Sequence, residues 1–420
     1  MLDIKFIREN PQKVKVGAEK KGIKIDIDEL LKVDQKRLDV LQKLEIQRSE
    51  QNKITDQVAE SKDKTKKEEL INKAQKMRED GKDLESELKE VSNEFDILMR
   101  KIPNPPFEEV PVGKDDSDNR VLKKVGEPTK FDFEPKDHLA LGEALDIIDT
   151  KRAAKISGSR FGILKNEAAL MEFALVQYGL ETLKKEGFVL VIPPVMLKTE
   201  MMDGMGYVER GKDEIYYLEK DDLFLVGTSE QMIGPMHSGE VFERKDLSKR
   251  YVGFSSCFRR EAGSYGKDTK GILRVHQFDK LEMFSFCEPE NSSAEHELML
   301  SVEEKLMQGL KLPYQVIDIC TGDLGDPAAK KYDIEAWLPG QNNYRETHST
   351  SNCTDFQARR LDIKFKNKEG KLEYVHMLNG TALAIGRIII AILENYQQKD
   401  GSIVIPDVLQ KYMGMKKISR

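Results

Sequence analysis

Residues 258–284 read FRREAGSYGKDTKGILRVHQFDKLEMF, two β-prone arms around a glycine-rich polar loop. The hairpin-type spacing across Gly263 to Gly271 argues for antiparallel pairing, and hence an α+β chain rather than a doubly wound one. In a strand, side chains alternate faces with a period of two. Arg259 and Glu261 then share a face of the first arm. Arg274, His276, Phe278, Lys280 and Glu282 share a face of the second, and Val275, Leu281 and Met283 take the other. A wet outer face would be rich in charge, but it would seldom also carry Phe278 and Phe284. Two arginines, an aromatic ring and two carboxylates on one face suit a nucleotide pocket. Arginine forks take phosphate oxygens, a ring stacks under a purine, and a carboxylate holds an ammonium.

The chain around this segment is built of further short β-rich runs, at 188–192, 223–226, 251–254, 314–319 and 362–365, alternating with helical stretches. Two more elements converge on the same chemistry. Thr381 to Leu393 reads as an apolar helix whose lone charge, Arg387, needs an anion or an aromatic face if buried. Arg345-Glu346-Thr347-His348-Ser349 sets a carboxylate and a hydroxyl three residues apart, oxygen donors suited to Mg2+. The sequence contains neither a G-x-x-x-x-G-K-[ST] phosphate loop nor an H-I-G-H-like element.

The N-terminal part has a different texture. From Ile23 to Ile102 there is no proline and one glycine, Gly81. Leu70, Ala74, Met77, Gly81, Leu84, Leu88, Val91, Phe95, Leu98 and Ile102 advance by fours and threes, a heptad seam. Leu31, Leu38, Leu41 and Leu44 begin a second seam, which loosens at Gln47, Gln51 and Asn52. Two long helices joined through polar residues 60–69 form an antiparallel coiled-coil hairpin over about 28–102, each helix on the order of 50 Å long. Lys62, Lys64, Lys66 and Lys67 cluster at its tip. Such a run is either a solvated face or a contact for an RNA backbone, and the sequence alone leaves both open. Pro103 to Pro106 stop the helix. The domains expected are 1–110 and 111–420.

With 420 residues and a net charge of −6, any nucleic-acid binding must rest on local patches. The four cysteines, about thirty residues apart with no C-x-x-C pair, read as reduced core residues, and no structural zinc is expected. The longest apolar run is too short to span a membrane, and charges at Asp3, Arg8 and Glu9 speak against a leader segment.

At these residues the chain resembles the class II aminoacyl-tRNA synthetases, and among them the bacterial-type seryl enzymes with an N-terminal helical arm. Phe258-Arg259-x-Glu261 with Arg274 and Phe278 is similar to the family's second motif, Asn379-Gly380 through Gly386-Arg387 to its third, and 187–193 to its dimer-building first. Thr228-Ser229-Glu230, 351–360 and 394–397 are similar to stretches particular to the seryl family.

The resemblance implies a mainly antiparallel sheet flanked by helices, ATP and Mg2+ chemistry, L-serine and tRNA(Ser) as substrates, with tRNA(Sec) as a further one, and a cytoplasmic homodimer. It also implies roles. Arg259, Arg274 and Arg387 would be catalytic, on the α-phosphate, the γ-phosphate and the adenine. Phe278 would stack on the adenine and Glu261 would hold its amino group, with Arg260, Thr347 and His348 also at the ATP. Glu346 and Ser349 would hold Mg2+. Thr228, Ser229, Glu230, Arg259, Glu282, Asn379 and Thr381 would surround serine, and the four tip lysines would meet tRNA. Arg260, His348 and Thr381 depart from the residues commonest in the family. A non-catalytic RNA-binding paralogue and an amino acid:carrier-protein ligase are the alternatives; the first predicts loss of pocket charges and the second lacks the arm.

Overall fold

The computed structural model describes residues 1–262 and 270–420, apart from the side chains of Arg210 and Lys212. The glycine-rich loop Gly263 to Thr269 lies outside the described residues. The chain divides into two units: Leu2–Glu19 with Ile23–Pro103, and Met1, Lys20–Gly22 and Asn104–Arg420.

In the first unit, helices Ile27–Glu60 and Lys64–Arg100 run 34 and 37 residues. Asp26 and Asp63 cap their N-termini by accepting from the backbone N–H of Glu29 (2.9 Å) and of Thr65 (2.9 Å). The turn between them is only Ser61–Asp63, shorter than the polar stretch 60–69, because the Asp63 cap lets the lysine-rich segment start the second helix. In the second helix Val91 and Phe95 are buried and the other seam residues half-buried, with Met99 rather than Leu98 buried near its end. In the first helix Leu30, Val33, Val40 and Leu44 are buried, whereas Leu31, Leu38 and Leu41 are only half-buried. The two breaks in the seams face each other. Gln47 lies against Gly81, 3.5 Å from where a Cβ would sit, and its amide donates to the Met77 carbonyl at 2.6 Å. A glycine in mid-helix, costly by itself, thus admits a polar cross-link that holds the register.

In the second unit the division falls at Asn104 rather than at 110. The Asn104 amide donates to the carbonyls of Pro327 (2.8 Å) and Cys353 (2.9 Å), and Phe107 packs with Val110 and Ile317. Linker composition does not reveal these long-range bonds.

The frame of this unit is an eight-stranded sheet: β1 Arg120–Val125, β2 Val189–Val191, β3 Lys249–Phe258, β4 Gln277–Cys287, β5 Tyr314–Asp318, β6 Lys330–Leu338, β7 Asn343–Asn352 and β8 His376–Ala384. Its order is β1-β5-β6-β7-β8-β4-β3-β2, antiparallel except for the β2·β3 edge pair. Helices Asn166–Lys185, Ser292–Leu310 and Ile385–Asn395 bury one face through Met171, Leu175, Met299, Leu306 and Ile388 against Leu281, Met283, Ile334 and Ala382. Phe278, Lys280 and Glu282 of β4 alternate onto the opposite face.

Two expectations are corrected. The long central strands β6, β7 and β8 are absent from the list of β-rich runs; β7 reads NYRETHSTSN, with no apolar residue but Tyr344, and pairs on both sides all the same. The apolar run from Thr381 is not one helix: Thr381–Ala384 belong to β8, paired with β4, and the helix starts at Ile385. Apolar periodicity cannot separate a buried strand from a buried helix; the partners decide. Among the described residues no helix is long and apolar enough to cross a membrane.

Candidate active site

The two arms of the opening segment leave the sheet earlier than the alternation suggests. β3 ends at Phe258 and β4 begins at Gln277, so Arg259, Glu261, Arg274 and His276 lie on connecting backbone. That backbone is held across the gap by Arg259 N–H donating to His276 O (3.0 Å), and Glu261 adopts a left-handed φ of 53°. The turn-out brings the charged ends over the sheet. Arg259, Glu261, Arg274, Phe278, Glu346 and Arg387 line one cleft, with Ile272, Val275 and Ala384 as apolar wall.

The charges in this cleft are pre-arranged. Arg274 donates to Glu261 at 3.1 Å. Arg387 reaches Glu346 through its carboxylate (3.2 Å) and its carbonyl (2.9 Å). Arg387 is partly exposed, on the first turn of its helix, and still has the carboxylate partner that a buried arginine would need. Arg259 donates through Nε to the Gly227 carbonyl at 3.2 Å, with its guanidinium 5.3 Å from the Phe278 ring centroid. Its remaining N–H groups form no ion pair among the described residues, which leaves this cation for an anionic ligand.

Next to it lies a larger recess lined by Thr228, Glu230, Glu282, Asn379, Thr381 and Ser349, among others. Glu282 is almost wholly buried; Lys280 pairs with it at 2.5 Å and the Thr381 hydroxyl donates to it at 3.2 Å. A β-bulge at Leu281/Glu282 sets Glu282 opposite Thr381. A second bulge, at Thr347, lets Glu346 and Ser349 both line the recess. The Glu346 side chain is about half exposed, and Arg387, Lys331 and Arg259 together hold its carboxyl well below the usual carboxylate range. An ionised carboxylate beside a hydroxyl fits a hard divalent cation that takes one or two protein oxygens.

Three of the expected contacts lie away from these surfaces. Ser229 is fully buried, with its hydroxyl 2.7 Å from that of Ser255. Arg260 is exposed, over the Tyr216 ring at 5.6 Å. His348 is fully buried beside the Thr347 hydroxyl at 2.9 Å, and burial pushes it to about 3, so it is neutral. Thr347 lines the cleft although its hydroxyl donates to the Ile334 carbonyl at 3.2 Å. Lys62, Lys64, Lys66 and Lys67 belong to the other unit, exposed at the hairpin turn.

Other cleft residues escaped sequence reasoning. Lys331 and Asp333 come from β6, and Tyr207 follows a helix. Lys280 was visible on the right strand face, but its pairing with Glu282 was not.

Gly380 sits between Asn379 and Thr381 with its Cα toward the helices. A Cβ there would lie 2.9 Å from the Thr350 hydroxyl and 3.0 Å from Glu303, itself fully buried. Gly380→Ala is expected to cost about 1–3 kcal/mol through overpacking. Thermal melting checks it, and an unchanged midpoint would show that the strand yields freely.

Comparison with known proteins extends over the full chain. Residues 1–106 match the seryl-tRNA synthetase N-terminal domain, and residues 215–396 match the tRNA synthetase class II core domain (G, H, P, S and T). The serine–tRNA ligase of Dictyoglomus thermophilum is 47% identical over 422 residues, covering 100% of this chain and 99% of the relative. That of Treponema denticola is 45% identical, covering 100% of each. Among solved structures, seryl-tRNA synthetase from Pyrococcus horikoshii complexed with ATP superposes with a TM-score of 0.93 at 43% identity, covering 100% of this chain and 99% of that one. A Giardia lamblia prolyl-tRNA synthetase, 18% identical with a TM-score of 0.57 over 64% of this chain and 53% of that one, shares the fold alone.

Proposed function

This chain belongs to the seryl-tRNA synthetase family, and from that premise we propose how its residues carry the reaction. The enzyme is a serine–tRNA ligase: it activates L-serine with ATP to seryl-adenylate and transfers the seryl group to the 3′ end of tRNA(Ser). The observation that carries the assignment of roles is the cleft itself, in which a cationic, aromatic half adjoins a carboxylate-rich recess.

In this reading ATP binds with its adenine between Phe278 and Arg387 and its amino group at Glu261. Arg274 holds the γ-phosphate and Arg259 the α-phosphate. Serine lies in the recess of Thr228, Glu230, Glu282, Asn379 and Thr381, with its carboxylate toward Arg259. The carboxylate attacks the α-phosphorus and pyrophosphate leaves. The terminal ribose hydroxyl of tRNA then attacks the activated carbonyl and releases AMP. No side chain acts as a nucleophile; positioning and cationic stabilisation of the phosphoryl charge lower the barrier. Glu346 and Ser349 would hold Mg2+, which neutralises charge on the phosphates when bound. A recess that hydrogen-bonds a hydroxyl discriminates strongly against alanine, whose binding would leave those buried groups unpaired.

The coiled-coil hairpin presents its lysines to the RNA backbone. Support comes from their position: the first turn of Lys64–Arg100 carries Lys64, Lys66 and Lys67 and no acidic residue. Three cations at the positive end of a helix dipole oppose the favourable arrangement, as a phosphate-binding tip requires. Recognition by the shape of a long variable arm extends to tRNA(Sec). A homodimer through β2 and the helix before it is supported by the exposed side chains of Val189, Leu190, Ile192, Leu170 and Phe173.

The test is serine-dependent exchange of labelled pyrophosphate into ATP, with millimolar serine and magnesium present. Robust exchange with serine and little with alanine or threonine is expected; no exchange with serine would overturn the enzyme reading.

A further inference from the structure

Glu282 and Glu230 face the same recess, but their surroundings differ. Glu282 already has a cation and a hydroxyl, from Lys280 and Thr381. Glu230 is 4% exposed and forms no ion pair among the described residues. Its side-chain partner is the phenol of Tyr207, which donates to Oε1. Tyr207 lies in the segment after helix Thr199–Met205, turned by Gly206 in the left-handed region (φ 85°). Tyr207 packs against two buried clusters, one that contains Met205 and Phe284 and another that contains Met202 and Phe224. The phenol is therefore a fixed donor on an otherwise uncompensated buried carboxylate.

We propose that Tyr207 is a positioning residue for amino-acid selection: by binding Oε1 of Glu230 it leaves Oε2 for the ammonium of the incoming amino acid, which supplies the missing counter-cation. The proposal rests on the reading of this recess as the serine site and goes beyond it.

The electrostatics agree. Burial, then the charge of Glu282, raises Glu230 to about 7, against Lys280, the Tyr207 hydroxyl and Arg259. Cys353 also faces it, and burial keeps that thiol neutral. Burial and the Glu230 charge hold the phenol of Tyr207 far above its usual range, so it acts only as a donor. Near neutral pH the empty recess then holds Glu230 partly protonated. Binding of the ammonium favours the carboxylate, and the proton leaves to solvent.

The sign follows. Serine affinity rises as Glu230 ionises, so it falls with pH below about 7. Loss of the Tyr207 donor, which favours the ionised form, moves that fall to higher pH.

Tyr207→Phe should raise the KM for serine in the exchange reaction about tenfold, the worth of a hydrogen bond to a charged group. The KM for ATP should be unchanged, and the acidic limb of the serine profile should shift upward. E230Q should abolish that limb, and adding Y207F to it should bring no further loss. Calorimetry on the unaltered enzyme, with serine titrated at pH 6.5 in two buffers of different ionisation enthalpy, should register proton release. The proposal is overturned by a serine KM within about twofold of the original, by an equal rise in the KM for ATP, or by no proton release between pH 6 and 8. If the unaltered enzyme shows no serine-dependent exchange, the serine reading fails first and takes the proposal with it.

Discussion

Replacing Arg259 with alanine is expected to lower kcat/KM for serine-dependent pyrophosphate exchange by about 10³-fold, or ~4 kcal/mol of transition-state stabilisation. The size of the effect follows from what the residue touches. Nε is tied to the Gly227 carbonyl at 3.2 Å and the guanidinium lies beside Phe278, so the side chain is held in place before any ligand arrives. Arg274 and Arg387 are engaged with Glu261 and Glu346, whereas Arg259 has no carboxylate partner among the described residues. It is the cation best placed to answer charge that develops on a phosphorus under attack. Because its own bonds to the fold are few, Arg259→Ala should leave the melting temperature nearly unchanged. Arg259→Lys should recover only part of the loss, since an ammonium keeps the charge but cannot hold the Gly227 anchor and a phosphate oxygen together. A fall of less than tenfold in the alanine variant would show that the neighbouring arginines carry the phosphoryl charge instead.

Deleting Thr55 to Leu70, with two glycines bridging the cut, should leave serine-dependent exchange within about twofold while lowering kcat/KM for tRNA charging about 10²-fold or more. The deletion removes the turn Ser61–Asp63 and the four exposed lysines but spares the Gln47–Met77 cross-link that holds the register of the remaining hairpin. Neutralised phosphates release counterions, so the loss should be largest at low salt and shrink as salt rises. Aminoacylation and exchange measured on one preparation separate the two steps. Equal loss of both would refute the role assigned to the lysines.

Much of the candidate site's lining was legible because neighbouring residues carry it. Phe278, Lys280 and Glu282 could be set on one face by counting alone, and much of the seam of the second hairpin helix could be read from its fours and threes. In the first helix, by contrast, Leu30, Val33 and Val40 are buried in place of Leu31, Leu38 and Leu41. Counting failed where backbone geometry departs from regularity. Arg259, Glu261 and Arg274 leave the strands, and bulges at Glu282 and Thr347 re-aim the side chains around them. It failed also where hydrogen-bond partners override composition. A polar stretch such as Asn343–Asn352 becomes a central strand because strands on both sides accept it, and no local propensity announces that.

Sequence by itself therefore determined the long antiparallel helices, the α+β class, and, through family motifs, the reaction. These depend on periodicity and residue type, which are local and survive without coordinates. Only the tertiary structure decided that Gln47 meets Gly81, that Lys280 neutralises Glu282, and that Glu230 is left with the Tyr207 phenol as its side-chain partner. Such pairings join residues from separate elements or register positions. Their energies depend on burial and distance, quantities that exist only once the chain has folded.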